Sequence, residues 1–230
     1  MRTLLRLLGV FTSIALTACM PLRIGNAQDH YKYNQELPLS VGNYWAYQVT
    51  RYDGFNPNDI MTATFVMTDT ITHVEVKEGF FIATVQSAQS AEVPIEVRGN
   101  YPVTDTLKPV TTTSYWLIVE GNRVLRQEDT LNLSDLQSRV RVEYIFPTGP
   151  NSQWAIYNAK DAPINRRVAR IDSITVPAGK FTNCRYLDTV MAGMTLEDWF
   201  CPGIGMVEHN AEHHGTPYGN RQELVSYRIK

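Results

Sequence analysis

The feature that most constrains this chain is a set of residues that occurs twice. "LPLSVGNYWAY" runs from Leu37 to Tyr47, and "FPTGPNSQWAI" from Phe146 to Ile156. Pro38 and Pro147 each stand seven residues before a Trp-Ala pair, Trp45-Ala46 and Trp154-Ala155, at an offset of 109. Val76, Gly79 and Phe81 match Val176, Gly179 and Phe181 at an offset of 100. Trp116, Val124, Val142 and Tyr144 match Trp199, Val207, Val225 and Tyr227 at an offset of 83. Each of the four tryptophans has a counterpart, and the offset only falls along the chain. That is the pattern expected of a tandem duplication with extra residues in the first copy. The units expected are residues 37–145 and 146–230.

Both units read as strands. In "RVRVEYIF" (139–146), Val140, Val142, Tyr144 and Phe146 alternate with Arg139, Arg141, Glu143 and Ile145. Period two with one apolar face is the signature of a half-buried strand. Phe80 to Val85, Tyr115 to Val119 and Arg167 to Val176 are rich in β-branched and aromatic residues, with Gly121-Asn122, Ala192-Gly193 and Gly219-Asn220 as punctuation. No long segment has a period of 3.6; a short helical turn is expected at Ser134 to Gln137, capped by Ser134. The expected fold is all-β, an antiparallel meander of about ten strands made of two tandem units, curled into a half-barrel, barrel or sandwich. Residues 51–61 and 88–112 are expected to be long loops, where specificity tends to reside.

The N-terminus reads as an export signal. Arg2 and Arg6 precede the uncharged run "LLGVFTSIALTA" (7–18), which is too short to span a bilayer and fits the apolar core of a signal peptide. The run ends in Leu16-Thr17-Ala18-Cys19, which resembles a bacterial lipobox. That resemblance implies cleavage after residue 18 and acylation of Cys19. Two acyl chains anchor stably where one dissociates. Residues 19–36 then form a polar tether. The expected location is the cell envelope, lipid-anchored, on the outer membrane if the host has one, since no Asp follows Cys19. Removing Arg2 and Arg6 from the 21 basic residues leaves 19 against 23 acidic ones, a net charge of −4. Nucleic-acid partners are therefore not expected.

The two other cysteines lie in a hairpin centred on Ala192-Gly193. In that register Met191 faces Met194, Tyr186 faces Trp199, and Cys184 faces Cys201. Directly opposed residues lie about 5 Å apart, within disulfide reach. An oxidising compartment favours that bond.

These residues resemble a family of uncharacterised bacterial secreted proteins and lipoproteins. Its members carry "P-L-x-V-G-x-x-W-x-Y", "V-P-A-G-x-F-x-N-C" and "W-x-x-P-G-x-G-x-V", here Pro38 to Tyr47, Val176 to Cys184 and Trp199 to Val207. The family looks similar to half-barrel lipoprotein-sorting carriers, whose curved sheet can hold acyl chains. This resemblance implies a fold and no chemistry.

Candidate chemistry is sparse. His209, Glu212, His213 and His214 form a weak metal candidate, and His209-x-x-Glu212-His213 has the H-x-x-E-H spacing of a zinc peptidase. Those enzymes need the motif on a helix. Here a strand expected to end near Glu208 leads into Gly215, Pro217 and Gly219, which reads as a solvated hairpin loop. Asp53 to Asp59 carries carboxylates but reads as a polar turn, and no nucleophile elbow or phosphate loop occurs. The tryptophans read as core residues. The sequence therefore points to a non-enzymatic envelope lipoprotein with a structural or binding role and no cofactor, whose partners are the membrane and an envelope protein. The alternatives are a carrier of a lipid or other hydrophobic ligand and, last, a metal-dependent hydrolase.

Overall fold

The computed structural model describes residues 35–102, 107–128, 130–136, 140–157 and 164–230. Residues 1–18, the proposed acylation site Cys19 and the tether up to residue 34 lie outside them.

The strands are β1 (Tyr44–Asn56), β2 (Asp59–Lys77), β3 (Phe80–Gln89), β4 (Val93–Val97), β5 (Thr111–Glu120), β6 (Arg123–Glu128) and β7 (Arg141–Ile145), then β8 (Gln153–Tyr157), β9 (Ile164–Val176), β10 (Gly179–Met191), β11 (Met194–Cys201), β12 (Gly205–His213) and β13 (Gly219–Arg228). They form one antiparallel sheet in the order β7-β6-β5-β3-β2-β1-β13-β12-β11-β10-β9-β8, with β4 attached to β2. First and last strands pair, Trp45 opposite Tyr227. The sheet's two ends, β7 and β8, are consecutive in sequence and pack side by side without a backbone ladder between them. Of the three expected architectures, the structure is a nearly closed barrel.

Among the described residues thirteen strands replace the expected ten because the long loops are partly strand. Residues 51–61 complete the β1–β2 hairpin, in which Asn56 pairs with Asp59 across a two-residue turn. Within 88–112 the chain finishes β3, forms β4 against β2 at Met61↔Val97 and begins β5. A two-residue turn is sufficient to reverse an antiparallel strand, so Pro57-Asn58 did not require a loop. The expected short helical turn exists as a 3-10 turn at Leu133–Asp135, but its cap is Asn132, whose side chain accepts from Ser134 N at 3.1 Å.

The paired tryptophans occupy strands of equal rank. Trp45 lies in β1 and Trp154 in β8, the first strands of their halves; Trp116 lies in β5 and Trp199 in β11, the fourth along each half of the sheet path. Trp45 and Trp154 are core residues, and each donates its indole N–H to a backbone carbonyl, of Ile204 at 2.6 Å and Val142 at 3.2 Å. A buried indole needs such a partner.

The core fills the barrel with Tyr47, Val49, Ile71, Leu187, Phe200 and Leu224 among others. Leu37 and Leu39, where the tether ends, plug one end of it. Gly203 N donates to Glu36 O at 2.8 Å, so the last tether residue is already docked. A second apolar cluster, Ile82, Ile118, Leu125 and Val140, lies on the outer face with Leu133 and Leu136 packed against it.

The β10–β11 hairpin has the expected register, with Met191 opposite Met194 and Tyr186 opposite Trp199. Cys184 and Cys201 are joined, with Cα atoms 4.2 Å apart. Closing a loop of this length is worth about 3 kcal/mol in the chain-entropy model. Replacing both cysteines by Ser should lower unfolding stability by about that amount, and equal urea midpoints for wild type and double variant would contradict it.

Gly219 marks a close approach. A Cβ there would lie 2.1 Å from Ala211 O and 2.8 Å from Tyr52 Cε2. The carbonyl is backbone within a paired strand and cannot swing aside. Gly219→Ala should destabilise the protein by about 1–3 kcal/mol, the usual cost of overpacking; an unchanged thermal midpoint would show that β12 and β13 can part there.

Candidate functional site

The barrel is apolar towards the end plugged by Leu37 and Leu39 and charged further in. The charged part begins at an irregularity in β7. Val124 and Leu125 are consecutive on β6, yet they face Tyr144 and Val142, so Glu143 is an extra residue on β7. Such a bulge reverses the inward–outward alternation. The expectation that Val140, Val142, Tyr144 and Phe146 share one face is therefore overturned. Tyr144 and Phe146 enter the main core, Val140 belongs to the outer cluster, and Val142 packs against both. Arg141 and Glu143, expected on the solvent side, line the interior cavity.

Arg166 on β9 is the centre of the charged group and is 1% exposed. Its Nη2 lies 2.7 Å from Asp198 Oδ2 on β11, and its Nη1 lies 3.7 Å from Glu143 Oε2 on β7. Its Nε donates to Thr189 Oγ1 on β10 at 3.1 Å. Asp198 also holds Nδ1 of His209 on β12. Glu143 accepts from Arg141 Nη2 at 2.8 Å, and Arg126 Nε lies 3.9 Å away. The Arg126 guanidinium lies 3.7 Å from the centroid of the Tyr115 ring, and Tyr115 Oη donates to Asp69 Oδ2 at 3.0 Å.

The electrostatics follow from burial and pairing. Burial alone pushes the Asp198 carboxyl up, but Arg166 and then His209 outweigh it and hold the group well below the usual carboxylate range. Burial likewise opposes the charge on Glu143, and Arg141, Arg126 and Arg166 overcome it. Asp69 differs: burial dominates over its hydrogen bonds from Ser87 and Tyr115, and its pKa is raised.

The metal candidates are dispersed. β12 does not end near Glu208 but runs to His213, so His209, Glu212 and His213 are strand residues. In a strand, residues four apart lie about 13 Å from each other and residues three apart point to opposite faces. His209 turns inward to Asp198, while His213 Nδ1 meets Thr216 Oγ1 at 2.8 Å and His214 Nε2 meets Thr195 Oγ1 at 2.7 Å. Among the described residues, no three His, Cys, Asp or Glu side chains converge as metal ligands. Of the expected solvated loop, exposure holds for Glu212, His213 and His214, but of these only His214 lies beyond the strand, and His209 is half-buried. Asp53 pairs with Arg51 at 2.8 Å and Asp59 with Asn56 at 2.8 Å, so those carboxylates serve the hairpin.

Reading the sequence missed Arg166 and Asp198. Arg166 has the parity of Val168, and both are buried while Arg167 is exposed. That parity was the available signal. The interior cavity left among these side chains is about 90 Å³, lined by Leu39, Tyr47, Tyr115, Arg126, Arg141 and Asp198 among others.

No family model matches the chain. No curated protein matches it. Two solved structures are similar to it. One, described as a "putative lipoprotein" from Parabacteroides distasonis ATCC 8503, is 11% identical, with a TM-score of 0.44 over 83% of this chain and 96% of that one. The other, described as a "putative exported protein with YmcC-like fold" from Bacteroides fragilis NCTC 9343, is 8% identical, with a TM-score of 0.45 over 84% and 98%. At such identities and TM-scores neither similarity bears on activity.

Asp198→Asn keeps the side chain's shape and removes its charge. It leaves the buried Arg166 with Glu143 as its carboxylate and should cost about 3–5 kcal/mol at neutral pH. Because the folded pKa of Asp198 is depressed, its contribution is complete above the unfolded value of about 4 and is lost as pH falls below it. Urea titrations should therefore show wild type and variant converging towards pH 3, and a constant difference between pH 7 and pH 3 would refute this account.

Proposed function

We propose that this protein is a non-enzymatic lipoprotein of the cell envelope, anchored through Cys19, whose barrel-like domain serves a structural or binding role. The observation that carries this reading is the occupied interior. Aromatic, aliphatic and charged side chains leave about 90 Å³, less than the roughly 150 Å³ of an apolar cavity that holds benzene. A barrel filled by its own side chains offers an acyl chain no internal berth, so the carrier reading loses its support. The hydrolase reading loses its ligand set, since His209 is engaged with Asp198 and faces away from Glu212. What remains for a partner is the outer surface and the rim.

Export is supported by the signal-like segment 1–18 and by the cystine, which belongs to an oxidising compartment. The equal ranks of the paired tryptophans support descent of units 37–145 and 146–230 from one ancestor. That descent requires β1 to β7, without β4, to superpose on β8 to β13 strand for strand; an overlay that places Trp45 away from Trp154 counts against it.

The anchor is tested by fractionation. Cys19→Ser should move the protein from the membrane to the soluble fraction and abolish incorporation of a labelled fatty acid. A variant that still sediments with membranes and carries label would overturn the anchoring.

A further inference from the structure

The junction of β6, β7 and β8 carries a charge imbalance that the core ion pairs do not resolve. Arg126 and Arg141 face each other directly on β6 and β7. Like charges directly opposed across strands are destabilising. With Arg166 there are three guanidiniums around the single carboxylate of Glu143, at 3.9, 2.8 and 3.7 Å. Asp198 is engaged by Arg166 and His209. Glu128 approaches Arg126 at 3.0 Å, but its side chain is 65% exposed, and such pairs are weak because water screens them. Asp69, the other acid close by among the described residues, is shifted by burial towards its neutral form.

Arg126 and Arg141 are also accessible. Their side chains are 31% and 30% exposed. Both line a cavity of about 480 Å³, together with Gln127, Glu128, Thr130, Asn132 and Tyr157. That volume lies within the usual range for small-molecule sites, about 300–1,000 Å³. Arg141 Nε is buried without a hydrogen-bond partner. Two guanidiniums, one with an unused donor, thus stand at a polar cavity and share one buried carboxylate.

We propose that the Arg126–Arg141 pair binds the oxyanion of a small polar molecule, a carboxylate or a phosphate, in this cavity. Planar guanidinium forks match both groups. The anion would separate the two like charges and displace Glu128 from Arg126. Thr130, Asn132 and Tyr157 line the same space and supply hydrogen-bonding groups for the rest of the molecule. This site gives the binding role proposed above a ligand class, but it is independent of the anchor: fractionation of the Cys19 variant reads one, and ligand titration the other.

The test is isothermal titration of the protein purified from membranes in neutral detergent, with inorganic phosphate and with succinate as probes. Saturable binding of phosphate alone identifies a phosphorylated ligand, and of succinate alone a carboxylate. Arg126→Gln and Arg141→Gln should each weaken binding about tenfold or more, as loss of a charge-assisted hydrogen bond does. Glu128→Gln should tighten it about two- to fivefold by removing a weak exposed competitor. Glu128 is exposed, so this variant remains informative if the arginine variants fail to fold. No saturable binding of either probe, unchanged affinity in folded arginine variants, or a Glu128→Gln protein that binds no tighter would each overturn the proposal.

Discussion

The buried charge group around Arg166 stands where the barrel has no hydrogen-bond ladder. β7 and β8 are the two ends of the sheet, and among the described residues no backbone ladder joins them. Arg166 spans the gap instead, ion-paired to Glu143 on one side and Asp198 on the other. Trp154 adds a bond from β8 to the Val142 carbonyl of β7. A sheet edge left bare would be a template for pairing with other chains. Side chains occupy this edge, and the same side chains link the two halves of the chain. Buried ion pairs add little over a well-packed apolar contact, but breaking one is costly. The junction is therefore best understood as fixing which strands meet rather than as a large source of stability.

That choice shapes the interior. Three arginines and their carboxylates take up space that an empty barrel would offer to a ligand. At the other end Leu37, Leu39 and Trp45 close it with apolar contacts. The cavity lined by Leu37, Leu39, Arg141 and Asp198 is small. The binding site proposed above lies at the rim, where Arg126 and Arg141 meet solvent. The tether enters at the opposite, apolar end, with Glu36 bonded to Gly203.

Much of the fold was legible in the sequence. Hairpin β10–β11 was readable to the residue because Ala192-Gly193 fixes the turn, and a two-residue turn fixes the register of every pair behind it. The strands around Phe80, Tyr115 and Arg167 declared themselves by β-branched and aromatic content. The candidate site was hardly legible. Glu143 sits in an alternating run that predicts it outward, and nothing local distinguishes a strand that will bulge from one that will not. His209 looked like part of a polar loop because the acid that holds it, Asp198, is on another strand.

The sequence by itself determined an all-β chain, the β10–β11 turn with its cysteine pair, and the core placement of Trp45 and Trp154, since these depend on side-chain period and on neighbours close along the chain. Tertiary structure alone decided that the sheet rolls up until β7 meets β8, that a single extra residue turns Arg141 and Glu143 inward, and that Arg166 is buried while Arg167 is not. The physical reason is that a charge is held inside only when its partners arrive from distant strands, and those arrivals are set by the closure of the barrel rather than by any local pattern.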